Sequence, residues 1–176
     1  MLADPALRPA GPADRDLLLE WANDPATRAA SFHPARIEPS GHDRWFAARL
    51  ASPDGGIWIG AIDGRPIGQV RVQRIDSERG EVSISVAAEA RGRGLARPLL
   101  LAAMAAADRS LGVRTFIAAV RPGNAASLAL FRGSGFSHES EGERNGIACL
   151  VLVSEANPLG RESGLAQKVT AAYRAG

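Results

Sequence analysis

The sequence predicts an α/β (α+β) fold: a single domain whose mixed sheet is flanked by helices. Three observations carry that expectation. The chain has 176 residues, which suits one core and leaves little room for two. Its hydrophobic period switches near residue 57 from helical spacing to strand alternation. Finally, an apolar helix separates strand-like runs at 81–86 and 115–120, and a strand–helix–strand step implies parallel pairing with a right-handed crossover.

Residues 1–56 read as mostly helical after a short strand at Leu7–Ala10. Leu17, Leu18 and Trp21 give 13–23 a helical stripe, and Asn23-Asp24-Pro25 stops that helix and starts another, with Asp24 as cap. Ser40 followed by Asp43 has the form of a capping box ahead of Trp45 and Phe46. Two strands from Ile57 to Ile75 flank Asp63-Gly64, a tight hairpin turn. A third, Glu81–Val86, alternates Val82, Ile84 and Val86 with Glu81, Ser83 and Ser85. A helix over 94–111 ends at Gly112, and the apolar run 115–120 suits a strand covered on both faces. Asn124 caps a further helix, and strands at 136–143 and 147–153 close the domain at 1–153. The tail 154–176 is weakly patterned, with a short helix expected near Leu165–Tyr173.

Composition excludes several classes. Net charge is +2 with the arginines scattered, and aromatics make up 5%, so neither a basic block nor a set of base-stacking platforms supports a nucleic-acid partner. Cys149 is the sole cysteine, which rules out an internal disulfide, and His33, His42 and His138 lie too far apart to suggest a metal. The apolar run Pro98–Ala107 is too short to span a bilayer, and the N-terminus lacks the pattern of a secretory signal. The expectation is therefore a cytoplasmic protein, monomer or homodimer, without metal or membrane partner.

One stretch carries chemistry: R-G-R-G-L-A-R-P-L-L-L-A-A-M, residues 91–104. A helix start leaves about four N–H groups unpartnered and carries roughly half a positive charge. Gly92 and Gly94 open that backbone to a ligand, and Arg91, Arg93 and Arg97 add counter-charge, so the segment reads as a seat for an anion such as a pyrophosphate. It is no Walker loop, since the only lysine is Lys168, and it lacks the G-x-G-x-x-G order and early position of a dinucleotide fold.

The stretch resembles the acetyl-CoA loop of the GNAT acetyltransferase superfamily, [QR]-x-x-G-x-[GA], at Arg91, Gly94 and Ala96, and S-I-S-V-A-A-E-A before it resembles the superfamily's lead-in. N-A-A-S-L-A-L-F-R-G-S-G-F, 124–136, is similar to a second motif of that superfamily at Asn124, Ser127, Gly135 and Phe136. The resemblance implies a mostly antiparallel sheet with a central splayed parallel strand pair. It implies that pantetheine pairs with the edge Ile84, Ser85, Val86, while pyrophosphate meets the backbone of Arg91, Gly92, Arg93, Gly94, Leu95 and Ala96. Asn124, Ser127 and Phe131 join as cofactor contacts, and the Val86 amide holds the thioester oxygen as acetyl passes directly to an amine.

Two customary groups are missing. A tyrosine that protonates the departing thiolate in many members is here Phe131, and a glutamate of the ribosomal-protein N-terminal branch is here Ala119. Glu81 is the candidate base, directly or through water, or else a solvated strand-end carboxylate. E-W-A-N-D-P-A-T-R-A-A-S-F with I-E-P-S-G-H-D-R-W-F-A-A-R-L resembles the branch that acetylates nucleotide-linked 4-amino sugars in the pseudaminic-acid pathway, through Asn23, Arg28, His42, Trp45 and Phe46. That likeness implies Arg28 and His42 as substrate contacts. Taken by themselves, Trp45 and Phe46 read as core and His42 as an exposed histidine beside a cap. The expected function is acetyl transfer from acetyl-CoA to a small-molecule amine such as a nucleotide-linked amino sugar. A protein N-terminal acetyltransferase and a non-catalytic CoA-binding regulator remain as alternatives.

Overall fold

The computed structural model describes residues 4–154; the expected 165–173 helix lies outside them. Seven strands form one sheet: β1 (Ala6–Pro9), β2 (Gly55–Ile62), β3 (Arg65–Arg74), β4 (Arg79–Val86), β5 (Thr115–Val120), β6 (Phe136–Arg144) and β7 (Ile147–Ser154). Their order is β1-β2-β3-β4-β5-β7-β6, antiparallel throughout except for β4–β5. The helices are α1 (Arg15–Asn23), α2 (Pro25–Ala30), α3 (Pro39–Ala51), α4 (Ala96–Leu111) and α5 (Ala125–Gly133). None of them is long and apolar enough to cross a membrane.

The period-2 pattern sends alternate residues to two cores. Trp58, Val70, Val72 and Val82 meet Leu99, Leu100 and Ala103 of α4 and Leu128 and Phe131 of α5. Ile57, Ile59 and Ile67 point the other way, onto Leu18 and Trp21 of α1 and Phe46 of α3. The α4 face lies flat on the sheet because Gly60 and Gly68, in register across β2–β3, have no side chains. A Cβ on Gly60 would stand 2.4 Å from Leu99 Cδ1, and one on Gly68 would stand 2.5 Å from the Ser85 carbonyl oxygen.

The hairpin turn forms as expected, with Asp63 and Gly64 both at positive φ, the conformation a two-residue turn matched to strand twist requires. Asp24 caps α2, its carboxylate accepting the Thr27 N–H at 2.9 Å. Ser40, by contrast, caps nothing. Pro39 fixes the first helical φ, so α3 starts two residues earlier, with Glu38 at its cap and Ser40 inside the first turn. Asp43 instead takes the Arg15 guanidinium, Nη2 to Oδ2 at 2.8 Å. α4 likewise begins at Ala96, not Gly94, because Gly92 and Gly94 sit at φ +72°, outside helical space. Ser154 extends β7, its hydroxyl accepting the Phe116 N–H at 2.8 Å.

Parallel pairing of β4 and β5 lasts three rungs, from Arg79–Thr115 to Glu81–Ile117. Beyond Glu81 the two strands part.

Candidate active site

A cavity of about 1040 Å³ opens where β4 and β5 separate, bounded on its other sides by α1–α3, the 90–96 loop and α5. Arg93 and Arg97 are exposed outside it, and every other residue expected to touch cofactor, substrate or the reacting atoms borders it.

The edge of β4 faces this opening. The Ala87 N–H donates to the Ile67 carbonyl at 2.9 Å, so on the constant β3–β4 register residues 87, 85 and 83 direct their amides toward β3. Ile84 and Val86 therefore turn N–H and C=O away from β3, where β5 has already left. The Val86 carbonyl is taken by Arg91 Nε at 3.0 Å.

The loop that follows leads the chain into α4. Positive φ at Gly92 and Gly94 folds the backbone back on itself, and a Cβ on Gly92 would meet nothing within 4 Å. Leu95 occupies the cap position of α4 and supplies no side-chain cap, so the first-turn amides stay available to a ligand. The side chain of Arg91 reaches a protein partner that the sequence does not disclose. Its Nη2 donates to Asp24 Oδ2 at 2.6 Å and to the Thr27 hydroxyl at 3.3 Å. That guanidinium fastens the loop to the start of α2, so of the loop's three arginines only Arg93 and Arg97 meet no acceptor among the described residues. The Arg91 hydrogen bond, helped by the Thr27 amide, holds the Asp24 carboxyl below its ordinary range.

Across the opening, Asn124 Oδ1 accepts the Ser127 N–H at 3.1 Å, so Asn124 is a helix cap that also borders the cavity. Phe131 is 4% exposed and meets Phe136 edge-on at 4.9 Å between centroids, and Ala119 lies half-buried on the same wall.

The remaining wall is polar and was not foreseen. Gln69, Arg71 and Gln73 of β3 stand in register with Ser85, Ser83 and Glu81 of β4, all borders of the cavity. Arg71 Nε donates to Ser83 Oγ at 3.1 Å, and its guanidinium lies 5.3 Å over the half-buried Trp45 ring. Although open to solvent, Arg71 is so ringed by protein that desolvation, with the like charge of Arg49, lowers its pKa to about 10. Arg49 donates to Gln73, and Arg144 bonds Glu81 and lies over Phe32. Gln69, 5% exposed, keeps an Oε1 without a partner among the described residues. The available signal was Q-V-R-V-Q on β3, a polar stripe matching that of β4, but only the register unites the two.

The residues behind the N-terminal resemblance are scaffold first. Arg28 donates to the Ala22 and His33 carbonyls, the latter at 2.8 Å, and its burial lowers its pKa. Asn23 bonds the backbone of Ile37 in both directions, at 2.9 and 2.8 Å. His42 is 2% exposed, its ring stacked on Phe46 and its Nε2 3.0 Å from the Arg15 carbonyl, which corrects the expectation of an exposed histidine. Phe46 is core as expected, whereas Trp45 is cavity wall. Among the described residues no group of His, Cys, Asp and Glu gathers as a metal site would require.

A family model described as an acetyltransferase (GNAT) domain matches residues 6–137. The chain belongs to the GNAT acetyltransferase family. Solved structures agree on the fold. A putative acetyltransferase from Salmonella typhimurium, yncA, solved with acetyl-CoA, superposes with a TM-score of 0.71 at 21% identity over 92% of this chain and 99% of its own. A ribosomal-protein-alanine N-acetyltransferase from Brucella melitensis gives 0.66 at 26% identity over 84% and 96%. A spermidine N-acetyltransferase from Vibrio cholerae, solved with CoA and spermine, gives 0.73 at 19% over 85% and 93%. A search of curated protein sequences finds no match. As a GNAT enzyme the chain is an N-acetyltransferase; its first motif falls at the bare α4 start, beside the splayed β4–β5 pair, and its second on α5.

Proposed function

We propose that this GNAT acetyltransferase moves acetyl from acetyl-CoA directly to the amine of a small molecule, in the cleft between β4 and β5. The observation that carries this reading is unpartnered backbone at two neighbouring places. The Ile84–Val86 edge turns toward the opening, and the uncapped first turn of α4 follows within ten residues. Such a track suits a pantetheine arm ending in a pyrophosphate. Bound acetyl-CoA supplies a thioester whose C–S bond breaks as the amine nitrogen bonds the carbonyl carbon, sulfur keeping the electron pair and the amine proton passing to water.

The chain's own part is placement and charge. The Val86 N–H is the donor for the thioester oxygen, a contact commonly worth about 3 kcal/mol of barrier. Asn124 and Ser127 border the sulfur side, and Phe131 closes it without a proton to give. Glu81 stands five residues from Val86, about 17 Å of strand at 3.3–3.4 Å per residue. Its carboxylate is engaged by Arg144, so any action on the amine runs through water. With no customary base, the acceptor best suited is an amine of low pKa, such as that of a nucleotide-linked amino sugar. A lysine amine, with a reference pKa near 10.4, is the poorer fit.

The test is calorimetric titration of acetyl-CoA, then thiol release with a UDP-4-amino sugar, a lysine peptide and a free peptide N-terminus. Micromolar acetyl-CoA binding with fastest release from the sugar is expected. Failure to bind acetyl-CoA overturns the enzyme reading, and a lysine peptide as best substrate at pH 7 overturns the acceptor reading.

A further inference from the structure

The cavity is lined by Arg28, Arg36, Arg49, Arg71, Arg91, Arg121 and Arg144, against one carboxylate, Glu81. Most of this charge is already committed. Arg28 serves backbone carbonyls, as does Arg121, which donates to Ala29 at 2.8 Å. Arg49 serves Gln73, Arg91 serves Asp24, and Arg144 serves Glu81.

Arg71 differs. Nε goes to a neutral hydroxyl, the guanidinium covers an aromatic face, and among the described residues no carboxylate pairs with it and no acceptor meets its Nη groups. It also projects from the middle of β3, two residues from Gln69, whose register partner Ser85 adjoins Val86. A guanidinium surrounded by like charges and short of an acceptor is a place where an anion is missing.

Building on the acetyltransferase reading, we propose that the acceptor amine carries an oxyanion, carboxylate or phosphate, which docks on the Nη groups of Arg71 beside Trp45, with Arg49 and Arg144 adding field. Glu81 is a positioning residue in this arrangement: it holds Arg144 toward the seat. The same charges act on the reacting end. Cations lining the cavity disfavour an ammonium there, so the bound amine loses its proton more readily, and this offsets the absent base. A polyamine meets repulsion instead and is excluded.

The experiment uses the full chain and matched acceptors. Glucosamine 6-phosphate is compared with glucosamine for the phosphate source, and alanine with alaninamide for the carboxylate source; spermidine is the cationic control. The readouts are kcat and KM from thiol release, and acetyl-CoA affinity by calorimetry. At least one anionic member should exceed its neutral partner in kcat/KM by about 30-fold or more, chiefly through KM. Arg71→Ala should abolish that preference while acetyl-CoA affinity stays at the wild-type value, and Arg71→Lys should restore part of it. The preference should also shrink as salt rises. Neutral or cationic acceptors proving equal or better, or the preference surviving Arg71→Ala, overturns the proposal while the acetyltransferase reading stands. Absence of acetyl-CoA binding in wild type overturns that reading itself.

Discussion

The two halves of the cavity are built differently. The side proposed for the cofactor is backbone: an unpaired strand edge, two glycines at positive φ and a helix start, all within residues 84–96. The side proposed for the acceptor is side chains from β3, β4, α3 and β6, which sequence separates by as much as about a hundred positions and register brings together. A backbone site is local, so substitution acts by blocking it. A side-chain site is distributed, so its members can be removed singly and graded.

Gly94→Glu should give the largest effect on this contrast. Forcing a non-glycine residue to φ +72° costs about 1–3 kcal/mol. The carboxylate would also stand where phosphates are expected, and like charge adds several kcal/mol. Acetyl-CoA affinity should fall by more than about 100-fold in a folded variant, measured by calorimetry. Wild-type affinity would place the cofactor elsewhere.

Gly68→Ala comes next, because it strikes the strand shared by both halves. The new Cβ would lie 2.5 Å from the Ser85 carbonyl and 3.0 Å from Val86 Cα, backbone atoms that cannot rotate away. Separating β3 from β4 there should cost about 1–3 kcal/mol in chemical denaturation and shift Val86, so that kcat falls as well. A stability loss with unchanged kcat would remove Val86 from the mechanism.

The contrast also explains what the sequence could disclose. The loop and cap motifs were legible because each is a contiguous string whose geometry follows from local φ and missing side chains. Gly94 and Asn124 needed no tertiary knowledge. Arg71 was not legible: the strand alternation showed it opposite Val70 and Val72, but nothing local said that Ser83 and Trp45 would flank it. Ser40 was misread because a capping pattern competes with the proline before it, and the fixed φ of Pro39 prevails. Arg91 lies in the legible loop, yet its side chain answers to Asp24, 67 residues away.

Phe131→Tyr probes the sulfur side of the cofactor half. A thiolate with reference pKa near 8.5 leaves well unaided, so turnover should stay within a few-fold of wild type or rise. The ring is packed edge-on to Phe136 in the core, so a hydroxyl lacking a partner would cost about 1 kcal/mol or more of stability. A large loss of kcat with intact acetyl-CoA binding would mean that the ring's packing positions the reacting groups.

Asp24→Asn makes the smallest change and divides the two accounts of Arg91. Asp24 is held below its ordinary pKa mainly by Arg91, then by the Thr27 amide. A depressed carboxyl contributes stability that is present above its unfolded pKa, near 3.9, and that is lost as pH falls through the lower folded value. The asparagine side chain keeps an acceptor for the Thr27 N–H and removes the charge. With the Asp24 side chain 21% and the Arg91 side chain 37% exposed, solvent screening limits the pair to about 0.2–1 kcal/mol. The variant should therefore be less stable by that amount at pH 7, and the gap should close below about pH 4. Acetyl-CoA affinity decides the matter. If Arg91 is a clasp, freeing it loosens the loop and affinity drops a few-fold. If it is counter-charge for phosphate, freeing it from Asp24 raises affinity, most visibly at low salt, and the cofactor side would then depend on a side chain after all.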